Sequence, residues 1–367
     1  SENAQERAAT ALWALVDANP NAHDTIAMAG DPAALVDLLI SGIPRGKDYA
    51  LWSLSLSICE DNQKVVADAG GVQPLIDQLE DSRASSQEQA AAALAKLAHN
   101  NGDMQAAITS QGGVAPIIKL LGIINQQEQV LVSAASALAN LAVEPAARDE
   151  IVAAGGIHPL VLLLKGQMRS AKNSSATALA RLSKDHEATQ AAIAEAGAIV
   201  PLVSLLDGSE GPEAQEEAAG ALFALAEHER NRLAITESDG IAPLVSLLAC
   251  DNPKARGHAE GALVRLSMEV ANRTLIILKL VDMVNSEADG QERAIAGQEQ
   301  AAAALANLAR ESEDNRNSIV GADGIPPLLA LLDSQNSKAK ENAVSAITAL
   351  CRNSLPNQAA IAKVGGI

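Results

Sequence analysis

One phrase recurs along this chain, and its spacing limits the fold more than any other feature. DPAALVDLL (31–39), GVQPLIDQL (71–79), GVAPIIKLL (113–121), GIHPLVLLL (156–164), AIVPLVSLL (198–206), GIAPLVSLL (240–248) and GIPPLLALL (324–332) are versions of it. The glycines that close the preceding turn, Gly30, Gly70, Gly112, Gly155, Gly197 and Gly240, lie 40, 42, 43, 42 and 43 residues apart, and Gly240 to Gly324 is 84, two periods. A last GGI stands at 365–367. Between copies runs a second phrase: AAAALAKLA (90–98), SAASALANLA (133–142), SSATALARLS (174–183), EAAGALFALA (217–226), EGALVRLS (260–267) and AAAALANLA (301–309). A period of this length belongs to a stack of small similar units.

Each unit reads as three helices. A short apolar piece such as MQAAITSQG (104–112) stops on glycine, which takes a left-handed conformation at little steric cost. The first phrase follows with proline in its first turn, where a missing N–H does no harm, and with apolar residues too dense for a helix exposed on one side. It is a buried middle helix. The third helix is rich in alanine, so neighbouring units approach closely, yet one unit alone has too little apolar mass to fold.

These features together resemble the armadillo repeat: short, middle and third helices, an AGGI-type turn, a P-L-V-x-L-L middle helix and an A-x-A-L-x-N-L-A third helix. HEAT repeats share the period but lack the Gly-Gly turn and the short first helix. The likeness runs over essentially the whole chain, residues 1–367. It implies an all-α, right-handed α-solenoid of about eight repeats, with third helices lining a concave groove that binds protein segments. By texture it is most similar to vacuole-inheritance and plant U-box armadillo proteins, and less so to importin alpha. In that register residues 1–19 are a partial repeat, 20–355 hold about eight repeats of ~42 residues, and 356–367 are another partial repeat. The expectation is therefore a segment of a longer protein or an array with atypical ends. One repeat is irregular near 273–298. RTLIILKLVDMV lacks about five residues where a turn belongs, and NSEADGQERAIAG (285–297) reads as a surface loop lengthening the next link. Faster hydrogen exchange is expected there than in 113–155.

Composition narrows the function classes. Aromatic residues are 1% of the chain, so the core is aliphatic. Cys59, Cys250 and Cys351 are widely spaced with no CxxC, which points to a reducing compartment, the cytoplasm or nucleus. No stretch is apolar enough for a membrane span, and SENAQER is no signal peptide. A net charge of −18 repels phosphate backbones, which argues against nucleic acid and for a basic protein segment. Enzyme chemistry has no carrier. GIPRGK (42–47) is one residue short of a phosphate loop and reads as a turn. His186-Glu187 and His228-Glu229 lack the second histidine of a zinc helix, having Gln190 and Arg232 instead. The expectation is no catalysis, no cofactor, no metal and no small-molecule substrate.

The binding residues follow from the repeat register. Where peptide-binding armadillo proteins carry asparagine, a residue able to bridge a peptide's N–H and C=O, this chain has Ala14, Ser53, Lys96, Asn140, Arg181, Ala224, Arg265, Asn307 and Ala349. One turn earlier, where importins place tryptophan, it has Thr10, Tyr49, Ala92, Ser136, Thr177, Gly220, Gly261, Ala303 and Ser345. Trp13 and Trp52 fall one residue before the ladder and are expected to pack inward. Glu88, Glu216, Glu217, Glu299 and Glu341 stand near helix starts, where the macrodipole favours carboxylates. The expected partner-binding set is Lys96, Asn140, Arg181, Arg265, Asn307, Tyr49, Glu217 and His258; at this point both ligand signs stay open, acidic side chains received by Lys96, Arg181 and Arg265 or a basic segment received by the glutamate rim. Two classes of role remain open at this point: a scaffold or adaptor, and the substrate-binding segment of a U-box ubiquitin ligase. An importin-like carrier of basic peptides ranks behind both for want of the tryptophan shelf.

Overall fold

The computed structural model describes residue 11 and residues 31–42, 44–122, 126–286 and 292–364. The chain divides into two compact units, residues 1–182 and 183–367, each built of helices without strands among the described residues. Apart from residue 11, the partial repeat at 1–19, with Thr10, Trp13 and Ala14, lies outside the described residues, as does the final GGI.

In the first unit α1 (Pro32–Ser41) and α2 (Pro44–Ser57) are a middle and a third helix. GIPRGK, expected as a turn, is therefore helical from Pro44, because proline is well placed at a helix start. Complete triplets follow: α3 (Gln63–Asp68), α4 (Val72–Gln78) and α5 (Ala84–Ala98); α6 (Gly102–Ser110), α7 (Val114–Leu121) and α8 (Glu128–Leu141); α9 (Pro145–Ala153), α10 (Ile157–Leu164) and α11 (Arg169–Ser183), whose end marks the unit boundary. The second unit holds α12 (Glu187–Glu195), α13 (Ile199–Ser204) and α14 (Pro212–Leu225), then α15 (Glu229–Glu237), α16 (Ile241–Leu247) and α17 (Pro253–Leu266). After these come α18 (Val270–Asn285) and α19 (Glu292–Glu311), then α20 (Glu313–Gly321), α21 (Ile325–Ala330) and α22 (Ser337–Cys351), and last α23 (Leu355–Lys363). Within each unit the third helices of successive repeats pack side by side, as α5 with α8 and α14 with α17.

The turn between first and middle helix fixes the register. Gly70, Gly112, Gly155 and Gly197 have φ of 76–79°. A Cβ added at Gly70, Gly112 or Gly155 would meet nothing within 4 Å, so only the backbone conformation calls for glycine there. In two repeats the left-handed residue is Asp239 or Asp323, at φ 57° and 59°. This corrects the sequence register: Gly240, with φ −69°, is equivalent to Gly71 and Gly113, the second residue of the turn, and the spacing from Gly197 to Asp239 is 42. At that second residue the requirement is close approach. A Cβ on Gly113 would stand 2.7 Å from Ile108 Cγ2, and one on Gly324 would stand 2.8 Å from Ile319 Cγ2. Ala198 occupies the same place, so a methyl is accommodated where the neighbours give way. The residue four before each left-handed position is Val66, Ile108, Ile151, Ile193, Ile235 or Ile319, and all six are fully buried. Burying one such side chain contributes about 1.5–3 kcal/mol.

A second device closes the turn between a third helix and the next first helix at four places. A buried amide on the first helix reaches back to a carbonyl at the end of the helix before: Gln105 Nε2 to Ala98 O (2.8 Å), Gln190 Nε2 to Ser183 O (2.9 Å), Asn315 Nδ2 to Leu308 O (2.8 Å) and Asn357 Nδ2 to Leu350 O (3.1 Å). These carbonyls have no partner inside their own helix, and buried they would each cost on the order of 1–3 kcal/mol if left unpaired.

The irregular repeat is resolved by fusion. Val281 meets Gly324 as Val36 meets Gly71 and Ile76 meets Gly113, so Leu280-Val281 are middle-helix residues, 36 positions after Leu244-Val245. Six residues are missing against the 42-residue spacing, where about five were expected. They are the turn itself. With no glycine to stop it, the first helix runs straight on as α18, burying Ile276, Ile277, Leu280, Val281 and Val284. The segment 285–297, expected as a loop, is helical from Glu292, which lengthens α19 to 20 residues, while 287–291 lie outside the described residues. The extension packs back on the preceding repeat: a Cβ on Gly297 would stand 3.2 Å from that of Ala249, and Gln298 Nε2 donates to Val284 O (3.1 Å) and Ser286 O (2.7 Å), capping α18.

Candidate partner-binding face

Within each unit the third helices set equivalent residues in a row, and the structure shows what those residues hold. Lys96 Nζ donates to Leu56 O at 2.8 Å, and Asn140 Nδ2 to Ala95 O at 2.8 Å. Arg181 Nη1 donates to Ala139 O at 3.1 Å and to Asn140 Oδ1 at 2.7 Å. Arg265 Nη1 donates to Phe223 O at 2.5 Å, and its Nη2 meets Glu227 Oε1 at 2.7 Å. Each of these four side chains thus reaches one repeat back to a carbonyl near the C-terminal end of the preceding third helix, where the macrodipole favours a donor or a cation. Asn307 Nδ2 donates to Glu260 Oε1 at 2.5 Å, and its Oδ1 accepts from Arg310. The amides of Asn140 and Asn307, expected to grip a ligand backbone, are engaged within their own units.

The remaining expected residues divide. Tyr49 is only 3% exposed, with its ring centroid 6.0 Å from that of Trp52, so the expectation that it offers a face to a partner is corrected: its ring fills the space between helices. Glu217 is half-buried on α14. His258 stacks on Phe223 with ring centroids 6.2 Å apart, its Nδ1 3.3 Å from Glu216 O. Two glycines make room for these rings. A Cβ on Gly261 would stand 2.5 Å from Phe223 Cε2, and one on Gly220 would stand 3.1 Å from the His258 ring. Burial lowers the Arg265 pKa and the nearby Glu227 and Asp185 raise it, the first effect being the larger; the guanidinium stays charged throughout.

The carboxylates near helix starts serve the caps of the following repeat. Glu216 accepts from Asn252 Nδ2 at 2.8 Å, and Glu299 from Asn336 Nδ2 at 2.9 Å. Asn252 and Asn336 are the N-caps of α17 and α22. Glu88 is half-buried and Glu341 exposed. In the first unit Arg83 bridges Asp48 (2.6 Å) and Asp81 (3.0 Å), and the hydrogen bond from Arg83 is the chief cause holding the Asp81 carboxyl below the usual range.

Sequence reasoning missed the position three residues beyond the ladder residue of each third helix. Leu56, His99, Val143, Lys184, Glu227, Met268, Arg310 and Arg352 stand there, all exposed and of every chemical type. Arg310 and Arg352 border an open depression of about 550 Å³ with Ser345, Thr348, Asn353 and Gln358. The visible signal was the pair of helix ends ANLAR (306–310) and TALCR (348–352). His186 caps α12 through Nδ1 to Thr189 N at 3.2 Å, and among the described residues no group of three or more potential metal ligands is found. No single described helix is long and apolar enough to cross a membrane; the bent pair Glu187–Glu195 with Ile199–Asp207 passes by composition, but it is a first and a middle helix around the Gly197 turn.

The armadillo/beta-catenin-like repeat family matches residues 59–99, 185–226 and 312–352. No curated protein matches. Among solved structures, an engineered protein is 31% identical with a TM-score of 0.70, the match covering 87% of this chain and 78% of that one. A designed armadillo repeat protein is 26% identical with a TM-score of 0.60, over 64% of this chain and 100% of that one. Another designed armadillo repeat protein, in complex with the peptide (KR)4, is 26% identical with a TM-score of 0.58, over 65% of this chain and 100% of that one. The matched repeats, the helix triplets and the glycine turns carry one conclusion: this chain belongs to the armadillo-repeat family.

Proposed function

We propose that this chain is a non-catalytic, protein-binding scaffold of the cytoplasm, and that its third-helix face receives a basic segment of a partner, extended or helical. The observation that carries the reading is how the cations of the face are used. Lys96, Arg181 and Arg265 are committed to carbonyls and carboxylates of their own units, while the protein carries a net charge of −18 and keeps Glu213 exposed beside Glu217 on α14. The likeness to a designed armadillo protein bound to (KR)4 supports a basic ligand. The positions one turn before the ladder from Ala92 to Ser345 are small, and Tyr49 is buried, so lysine and arginine stems have no aromatic shelf to lie on. This favours carboxylate contacts over an importin-type sandwich.

Fluorescence anisotropy of a labelled (KR)4 peptide titrated with the full chain tests it. Saturable binding is expected, weakening as salt rises and weakening at least about threefold in Glu213→Lys/Glu217→Lys, because rim charges steer and orient a charged ligand. Absence of binding at low salt, or binding unmoved by the double charge reversal, overturns the reading.

A further inference from the structure

We propose that the depression bounded by Arg310, Thr348, Arg352 and Gln358 is a binding site for a phosphate group carried on a side chain of the partner segment. The site lies within the second unit, where the ends of α19 and α22 meet α23. Its volume, about 550 Å³, is within the range of small-ligand pockets and takes a phosphorylated side chain with its neighbours.

Charge is the first argument. In a chain with 45 acidic and 27 basic residues, two guanidiniums near third-helix ends find carboxylates, Arg265 with Glu227 and Arg232 with Glu269, while Arg181 meets a carbonyl and an amide oxygen of its own unit. Among the described residues Arg310 and Arg352 form no ion pair, and no carboxylate lines the depression. Arg310 is held in place by neutral partners, donating Nη1 to Ser345 Oγ at 2.8 Å and Nη2 to Asn307 Oδ1, which leaves further N–H groups of its planar fork unspent. Arg352 is exposed, and no side-chain hydrogen bond of its own holds it.

The local backbone would ordinarily oppose an anion, since α22 ends here and helix C-termini carry partial negative charge. That charge is already met. Ala349 O accepts from Arg352 N at 3.2 Å, Leu350 O from Asn357 Nδ2 at 3.1 Å, and Cys351 O from Gln358 Nε2 at 2.9 Å. What faces the opening is two guanidiniums with the hydroxyls of Ser345 and Thr348 and the Asn353 side chain, whose backbone is held left-handed at φ 55°. A dianion with three terminal oxygens uses several convergent donors at once. A carboxylate, with two oxygens and one charge, uses fewer.

The site deepens the scaffold reading, because it supplies one anionic anchor at the end of a face that otherwise favours basic residues. It is testable without a partner. Inorganic phosphate titrated into the full chain at constant ionic strength, followed by the arginine side-chain NMR signals, should shift Arg310 and Arg352 saturably, with acetate at least threefold weaker. Arg352→Gln should weaken phosphate binding roughly tenfold, as loss of a charge-assisted pair does, while Lys340→Gln on the outer side of α22 leaves it unchanged. Arg352 makes no internal side-chain bond, so this variant separates binding from folding, and circular dichroism verifies it. A (KR)4 peptide extended by phosphoserine should bind more tightly than its serine version, and Arg352→Gln should remove that gain alone. No saturable shift, acetate equal to phosphate, or an effect of Lys340→Gln equal to that of Arg352→Gln overturns the assignment. If (KR)4 itself fails to bind, the basic-segment reading falls, and the inorganic phosphate titration still decides this site.

Discussion

The guanidinium carbon of Arg265 lies 3.6 Å from the centroid of the Phe223 ring, while Nη1 of the same side chain donates to the Phe223 carbonyl at 2.5 Å. One arginine therefore holds both the side chain and the backbone of a residue in the preceding repeat, and its second nitrogen meets Glu227. In a solenoid, where stability is close to a sum of neighbour interfaces, such a clasp belongs to the interface between α14 and α17.

A double-mutant cycle on Arg265→Ala and Phe223→Leu should return a coupling of about 0.5–2 kcal/mol, the range for a cation over an aromatic ring that is partly desolvated. Denaturant melts of the four proteins measure it. Arg265→Lys should recover less than half of the loss, because an ammonium cannot lie flat on the ring while serving the carbonyl and Glu227. A coupling of zero would mean that the ring contact adds nothing to the hydrogen bonds.

The two turn glycines should fail for different reasons. Gly112→Ala forces a Cβ into a left-handed residue and should cost about 1–2 kcal/mol, though nothing in space obstructs it. Gly113→Ala has ordinary backbone angles but a Cβ 2.7 Å from Ile108 Cγ2, so its cost depends on that isoleucine and should shrink in an Ile108→Ala background, which removes the Cγ2 atom that stands against it. Asp323→Gly, at an equivalent left-handed position, should be neutral or stabilising by up to about 1 kcal/mol. Urea midpoints report all three. Equal losses for the two glycine-to-alanine variants, each untouched by Ile108→Ala, would remove the distinction.

The contrast between those glycines marks how far sequence carries. Helix triplets, the short turn and the aliphatic core are legible because they depend on local preference and on a period repeated many times. The left-handed Asp239 hides behind a Gly240 register because aspartate is the less usual occupant of that conformation and a glycine stands beside it. The ladder positions follow correctly from chain order, but what Lys96, Asn140 and Arg181 hold does not, since each reaches an atom 40–45 residues away that no local pattern encodes. Tyr49 looks like a shelf residue by register, and only packing shows it buried. Arg310 and Arg352 leave only a faint sequence signal, the paired helix ends ANLAR and TALCR, because two copies do not make a period.

The fused helix α18 supports the opposite of one expectation drawn from the sequence. Loss of a turn suggests a weak repeat with fast hydrogen exchange over 273–298. Its 16 residues instead form one helix whose buried side chains, from Ile276 to Val284, face the interior at both former helix positions. Amides from Ile276 to Val284 should therefore exchange slowly and together, with protection at least equal to that of α7, because opening any of them requires separating α18 from its neighbours in the second unit. Lys279 is exposed at the site of fusion, so Lys279→Pro tests the continuity without emptying the core. Proline there removes a hydrogen bond and clashes with the preceding turn, and the variant should lose about 3 kcal/mol or more. Lys279→Ala should be nearly neutral. A proline variant as stable as the alanine variant, or exchange at 276–284 as fast as in the exposed turns, would show that the deletion has left a break in place of a continuous helix.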